Sequence, residues 1–262
     1  MKIIVCVKQV PDTNEVKIDP VKGTLIRDGV PSILNHDDAN ALEEALKIKD
    51  TYPDTHITVL TMGPPQAQDM LRECMAMGAD DAVLLSDRAL GGSDTWATSN
   101  ALAAGVAKIG KFDIIFAGRQ AIDGDTAQVG PQLAEKLGIP QVTYVKEFSL
   151  NGNEIIVKRA LENGYEKIQL RMPCVLTAIK ELNSPRYMSV AGVFRACETE
   201  ISVWSADDIK VNKTKVGLEA SPTNVFKSFT PKPKGKGITV TGDSPKVVVE
   251  NLMHALTANH IV

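Results

Sequence analysis

The residues with the most chemical capacity cluster in Gly118–Gly130, GRQAIDGDTAQVG. The stretch offers a guanidinium at Arg119, carboxylates at Asp123 and Asp125, amides at Gln120 and Gln128 and a hydroxyl at Thr126. Side-chain bulk is low at Gly118, Gly124 and Ala127. It follows the apolar run Phe112–Ala117, which reads as a buried strand. It opens a segment whose Val129, Leu133, Ala134 and Leu137 fall on one helical face. The strand-to-helix link of an open α/β sheet is where nucleotides bind. Backbone N–H groups near Thr126–Gly130 would stand at a helix N-terminus, without intrahelical acceptors and in a positive local field. A phosphate suits that environment. A plain helix start capped by Asp125 or Thr126 fits the same residues.

Other strand ends contribute. Cys6-Val7-Lys8 closes the first apolar run, Met62-Gly63-Pro64 the second, and Asn35 precedes the segment His36-Asp37-Asp38. Cys6 reads as a small buried residue more readily than a reactive thiol. Asn35 suits either an adenine edge or a turn. With the Gly118 loop, these positions make a rim of the right size for an adenosine. No GxGxxG follows the first strand and no GxxxxGK[ST] occurs, which disfavours a nicotinamide-binding Rossmann fold and a P-loop. Gly91-Gly92-Ser93-Asp94-Thr95 resembles the phosphate loop of ATP pyrophosphatases but sits after the wrong strand, so Ser93 or Asp94 reads as a helix cap. No nucleophile elbow and no catalytic triad spacing is present. The four cysteines form no CxxC pair, and the four histidines show no ligand spacing, so no metal site is expected.

Elements that position this rim follow from periodicity. Strands are expected at Lys2–Val10, His56–Met62, Ala82–Ser86 and Phe112–Ala117, and helices at Asp37–Asp50, Pro65–Met77, Asp94–Ile109 and in the segment that carries Val129, Leu133, Ala134 and Leu137. Such alternation predicts an α/β fold with a mostly parallel, doubly wound sheet. After Pro140 the pattern turns antiparallel at 142–180, as Val142–Leu150, Glu154–Leu161 and Lys167–Ile179, with a hairpin at Asn151-Gly152. Asn183–Ala196 carries turn formers, aromatics and arginines, and Ser205–Asp208 reads as a short helix start. From Ser221 to Gly242 the chain is rich in Pro, Lys, Gly and Thr, which suits an extended arm. Ser244–Asn259 reads as an amphipathic helix, packed on its own domain or on a partner. Two regions result, 1–220 and 221–262. A net charge of −3 and 5% aromatic residues give nucleic acid no footprint. No apolar run is long enough to span a membrane, and the N-terminus reads as a strand, so a cytoplasmic protein with reduced cysteines is expected.

Several of these segments occur together in one order: Cys6-Val7-Lys8, Asn35 before Glu43-Glu44-Ala45, Met62-Gly63-Pro64, Gly78-Ala79-Asp80, the Gly118–Gly130 loop and Asn183-Ser184-Pro185-Arg186-Tyr187. Over essentially the whole chain this resembles the beta subunit of electron transfer flavoprotein. The resemblance implies a nucleotide-binding fold related to adenine-nucleotide hydrolases, with a C-terminal arm that embraces an alpha subunit carrying the shuttling flavin. The rim site would hold AMP in the ordinary type and a second FAD in the electron-bifurcating type. Val10-Pro11-Asp12-Thr13 and Asp123–Pro131 resemble the bifurcating branch, which implies FAD. The nucleotide would be held by Cys6, Val7, Asn35, Met62, Gly118, Arg119, Gln120, Asp123, Gly124, Asp125, Thr126, Ala127, Gln128 and Val129, with no catalytic side chain and no metal. NADH would be the electron donor. Ferredoxin or flavodoxin would take one electron, and an acyl-CoA dehydrogenase-type flavoprotein the other by way of the alpha-subunit flavin, so that activity arises only in the complex. Residues 183–196 correspond to the loop that inserts an apolar anchor, usually Leu, into the dehydrogenase; Val190 stands there in this chain.

Overall fold

The computed structural model describes residues 1–12, 31–226 and 235–262. The expected positions Thr13 and 227–234 lie outside them. The described residues fall into two compact units, one from 1–12 and 31–226, the other from 235–262.

In the first unit the chain runs β1 (Lys2–Cys6), β2 (Gln9–Pro11), β3 (Ser32–Leu34), α1 (His36–Thr51), β4 (His56–Met62), α2 (Ala67–Met77), β5 (Asp81–Leu85), α3 (Thr95–Ile109), β6 (Ile114–Gly118) and α4 (Val129–Leu137). It continues through β7 (Gln141–Asn151), β8 (Glu154–Leu161), β9 (Gly164–Arg171), β10 (Cys174–Ala178), α5 (Val190–Glu198) and β11 (Ser202–Trp204). Among the described residues one nine-stranded sheet has the order β11-β5-β4-β1-β6-β10-β7-β8-β9. Pairing is parallel from β11 to β7 and antiparallel from β7 to β9. The α/β, mostly parallel, doubly wound expectation holds.

The two faces of the sheet follow from strand alternation. Ile3, Val5 and Val7 point to a core shared with Leu42 of α1 and Met70 of α2; Ile4 and Cys6 point to a core shared with Leu102 of α3 and Leu133 of α4. A sheet covered on both sides needs near-continuous apolar strands, and β6 and β10 are buried at every position.

Four local expectations change. Lys2–Val10 is two strands: the Lys8 N–H turns to the Asp38 carboxylate, and Gln9–Pro11 pairs antiparallel with Ser32–Leu34. Lys167–Ile179 is also two, broken at Met172-Pro173; the mostly exposed β9 stays with the hairpin while the buried β10 inserts between β6 and β7. The helix expected from Pro65 begins at Ala67, with Pro65 in the preceding turn. Ser205–Asp208 is a turn closed by the Asp208 carboxylate accepting from the Ser205 N–H and hydroxyl. Asp94 caps α3 as expected, accepting from the Ala97 N–H at 2.9 Å.

The second unit contains α6 (Pro245–Ala258), capped by Ser244 and started by Pro245. None of its residues is buried; Val249, Leu252 and Met253 are exposed. Among the described residues no helix is long and apolar enough to cross a membrane.

Candidate functional site

From β1 the sheet grows outward through β4 and β5, and the chain then returns to place β6 on the other side of β1. This reversal makes the carboxyl ends of β1 and β6 a topological switch point, the place where open sheets of this kind bind ligands. One side chain spans it. Asp38, in the first turn of α1, accepts from the Lys8 N–H at 2.8 Å and from the Gly118 N–H at 2.9 Å. Gly118 must be glycine here: a Cβ would strike the Asp38 carboxylate and lie 2.7 Å from its backbone nitrogen. Asn35, fully buried, donates to the Gln120 carbonyl at 2.9 Å and accepts from the Ile122 N–H at 3.1 Å. Its amide thus helps to hold the loop.

Beyond Gln120 the loop makes a tight turn, with the Gly124 and Asp125 N–H groups donating to the Ala121 carbonyl. Asp125 and Ala127 adopt left-handed backbone, φ 52° and 53°. That conformation costs non-glycine residues energy and recurs at ligand clamps. Both carboxylates have partners other than an anion: Asp123 takes the Lys8 ammonium at 2.7 and 2.9 Å, and Asp125 takes the Gln120 amide. The Gln128 side chain is tied back by the Thr95 hydroxyl at 2.9 Å. The expected cap by Asp125 or Thr126 is absent. The N-cap position of α4 is Gln128, and it makes no side-chain cap bond: its side chain is held by Thr95, its backbone is already helical, and Pro131, three residues on, has no N–H to offer. Consequently the backbone N–H groups of Thr126, Ala127, Gln128, Val129 and Gly130 have no acceptor among the described residues. This row of donors at a helix start fits a phosphate or diphosphate.

The remaining candidates divide. Met62 and Asp123 line one cavity of about 230 Å³, together with Lys8, Pro11 and Gly63, at the ends of β1 and β4. Val7 is buried against β4, its N–H on the Leu60 carbonyl. Cys6 is buried; burial, then the Asp38 charge, pushes its thiol up to about 12, so it is a packing residue and not a thiolate. Arg119 turns away from the cavity toward Asp37, 3.3 Å from Nε, and the ring of Tyr144. Lys8 and Asp38 were not among the expected site residues. Asp38 reads in sequence only as an acidic first-turn residue, while the glycine that it requires at 118 stands 80 positions away.

Comparison with known proteins fits this geometry. The electron transfer flavoprotein domain family matches residues 22–209. Caffeyl-CoA reductase-Etf complex subunit CarD of Acetobacterium woodii is 59% identical over 262 residues, covering 100% of both chains. Electron transfer flavoprotein subunit beta of Clostridium acetobutylicum is 62% identical over 237 residues, 90% of this chain and 91% of that one. Acryloyl-CoA reductase electron transfer subunit gamma of Anaerotignum propionicum is 48% identical over 270 residues, again covering 100% of both. The chain belongs to the electron transfer flavoprotein family, as a beta subunit.

A second surface of this electron transfer flavoprotein subunit rests on the same helix α1. Arg186 donates to both oxygens of Glu43 at 2.9 Å and to Asp50 at 2.6 and 3.2 Å. Those acceptors hold its guanidinium firmly charged, and Arg186 in turn draws the Asp50 carboxyl below its ordinary range. Asn183 exchanges amide bonds with Asn40 and donates to Glu44 at 2.9 Å. The Glu43-Glu44 and Asn183–Arg186 motifs of the sequence are thus two halves of one contact. From it the chain enters α5, seated on the end of α2 where Gly192 lies against the Ala76 carbonyl so closely that no Cβ fits. Tyr187, Met188, Val190 and Phe194 face outward, Val190 with 77% of its surface exposed. The unsettled stretch 183–196 is therefore an extended anchor followed by the start of a helix.

Proposed function

We propose that this chain is the beta subunit of an electron-bifurcating electron transfer flavoprotein. It pairs with an alpha subunit, binds FAD at the β1/β6 crevice and takes electrons from NADH. Ferredoxin or flavodoxin receives one electron, and an acyl-CoA dehydrogenase-type flavoprotein receives the other through the alpha-subunit flavin. The observation that carries this reading is the row of five unpaired N–H groups from Thr126 to Gly130 beside the two strand ends. Bound flavin supplies hydride acceptance and one-electron release; the chain supplies placement and field.

In this reading Thr126, Gln128 and Val129 present backbone donors to the diphosphate, each hydrogen bond to a charged oxygen contributing about 1.5–3 kcal/mol. Lys8 offsets the charge of Asp123, and the Gln120 amide holds the Asp125 carboxylate by a hydrogen bond. Residues 1–220 form the nucleotide domain, and 221–262 the arm that holds the alpha subunit; the outward apolar residues of α6 support that role. Val190, with Tyr187 and Phe194 beside it, serves as the dehydrogenase anchor. The caffeyl-CoA and acryloyl-CoA reductase relatives support an enoyl-CoA-reducing dehydrogenase as that partner.

Cofactor stoichiometry tests the reading. The chain co-produced with its alpha subunit should carry two FAD per heterodimer after gel filtration and acid release. One FAD with one AMP would overturn bifurcation and leave the ordinary subunit with structural AMP. No adenine nucleotide on this subunit would overturn the site.

A further inference from the structure

Asp38 is nine-tenths buried, and its two oxygens hold the N–H groups of two different strand ends. Beside it, Asn35 holds Gln120 and Ile122 of the loop that follows the second of those ends. At Gly118 the absence of a Cβ lets Asp38 approach. Neither Asp38 nor its bonds reach the row of unpaired donors; they act through the main chain that leads to it. We propose that Asp38 is a positioning residue for the nucleotide. By clamping Lys8 and Gly118 it sets the width of the crevice and, with it, where the Thr126–Gly130 donors stand. This rests on the rim being a nucleotide site, as proposed above.

The clamp needs an acceptor at both oxygens, so it needs the carboxylate. Burial pushes the Asp38 carboxyl up, to about 7, against the pull of Asn35 and the two N–H groups; the Asp37 charge adds to the rise. The other groups around it do not neutralise it. Cys6 of β1 and Cys74 of α2 are buried thiols, Lys8 spends its ammonium on Asp123, and Arg119 spends its guanidinium on Asp37. His36 and Glu181 face Asp37. Protonation below about pH 7 puts a hydroxyl opposite one N–H and opens one side of the clamp. The fold is not lost with it: a carboxyl whose folded pKa lies above its unfolded one binds the extra proton in the folded state, so acidification between the two values favours folding through this group.

The test compares wild type with Asp38→Asn, each in complex with the alpha subunit, stripped of nucleotide and titrated with FAD and with AMP at pH 8 and pH 6. His36 and the titration of the ligand itself are common to both proteins. Thermal unfolding reports the fold separately. At pH 8 the variant should bind each nucleotide about tenfold more weakly, the loss of one well-placed hydrogen bond. Wild type should weaken toward the variant at pH 6, while the variant changes less. Equal affinities at pH 8, or the same pH dependence in both, would overturn the proposal and leave the nucleotide site standing. Wild type that binds neither nucleotide at either pH would overturn the site and the clamp together. Should Asp38→Asn fail to assemble, the wild-type profile decides: no loss of affinity between pH 8 and pH 6 would overturn it.

Discussion

Helices α4 and α5 are each nine residues long, and they begin in opposite ways. Ser189 caps α5, its hydroxyl accepting from the Gly192 N–H at 2.9 Å. Gln128 stands at the same position of α4 and caps nothing. A helix that ends its own business at the N-terminus is free to offer side chains, and α5 offers Val190 and Phe194 to the outside. A helix that leaves its first N–H groups open offers the backbone itself, and an anion suits it. The anchoring differs in the same sense. Asn35 and Asp38 grip main-chain groups around the α4 loop, which fixes a backbone path. Glu43, Glu44 and Asp50 grip the side chains of Asn183 and Arg186 and the Arg186 N–H, which fixes a point and leaves the apolar surface beyond it to adapt.

The largest expected effect breaks the second anchor. Arg186→Ala strips the partner from Glu43, which is nearly buried, while Arg186 itself is a third exposed. Removing one side of a buried pair costs about 3–5 kcal/mol, and partial exposure lowers that here to about 2–3. Thermal unfolding of the heterodimer should show the loss. Below the new melting temperature nucleotide content should be unchanged, while the rate of electron delivery to the dehydrogenase falls. A variant that loses nucleotide and keeps the dehydrogenase rate would mean that the two regions are assigned the wrong way round.

Gly124→Val is aimed at the first region alone. A Cβ at 124 meets nothing within 4 Å, and Gly124 does not sit in left-handed backbone, so the fold accepts a side chain. If a diphosphate packs against this turn, valine blocks its approach. Retention of FAD after gel filtration should drop with a loss of about 1.5–3 kcal/mol, one charged hydrogen bond or more, at an unchanged melting temperature. Asp125→Asn should cost less, since asparagine tolerates the left-handed conformation and only a charge is trimmed. Full retention in Gly124→Val would show that no ligand lies on this loop.

What the sequence revealed of these regions was uneven for physical reasons. The buried parallel strands, the crossover helices and the β7–β8 hairpin are local patterns and were legible. The split at Met172-Pro173 was not, because one apolar run serves an exposed edge strand and a central one, and the partner that separates them is set by topology. In the candidate site, the loop Gly118–Gly130 was legible as polar chain between a strand and a helix. Its cap was misread because the left-handed turns at Asp125 and Ala127 belong to no strong sequence preference. Asp38 was invisible in its role: a carboxylate in a first helical turn has an ordinary reading, and its bonds are to backbone groups 30 and 80 residues away. The α1–Asn183/Arg186 contact was visible only as two motifs that keep company, with no sign that they touch.

The smallest effect tests the opposition of the two helix starts directly, by exchanging them. Ser189→Ala removes the α5 cap and should cost about 1 kcal/mol in thermal or urea unfolding. Nothing at the nucleotide site changes, so FAD retention should stay at the wild-type level. Gln128→Ser makes the reverse change. Serine at the N-cap position can accept only from the Gly130 N–H, two residues on, because Pro131 has none, so α4 should gain no more than about 0.5 kcal/mol of stability, offset in part by the lost Thr95 bond. The same serine oxygen competes with the phosphate for the Gly130 N–H, so nucleotide retention should fall as stability holds or rises. Stability and retention moving in opposite directions at α4, and stability alone moving at α5, is the pattern expected if one helix start is reserved for a ligand. Parallel loss of both quantities in Gln128→Ser would mean instead that Gln128 holds the site through its Thr95 contact, and that the open N–H groups of α4 are satisfied by water.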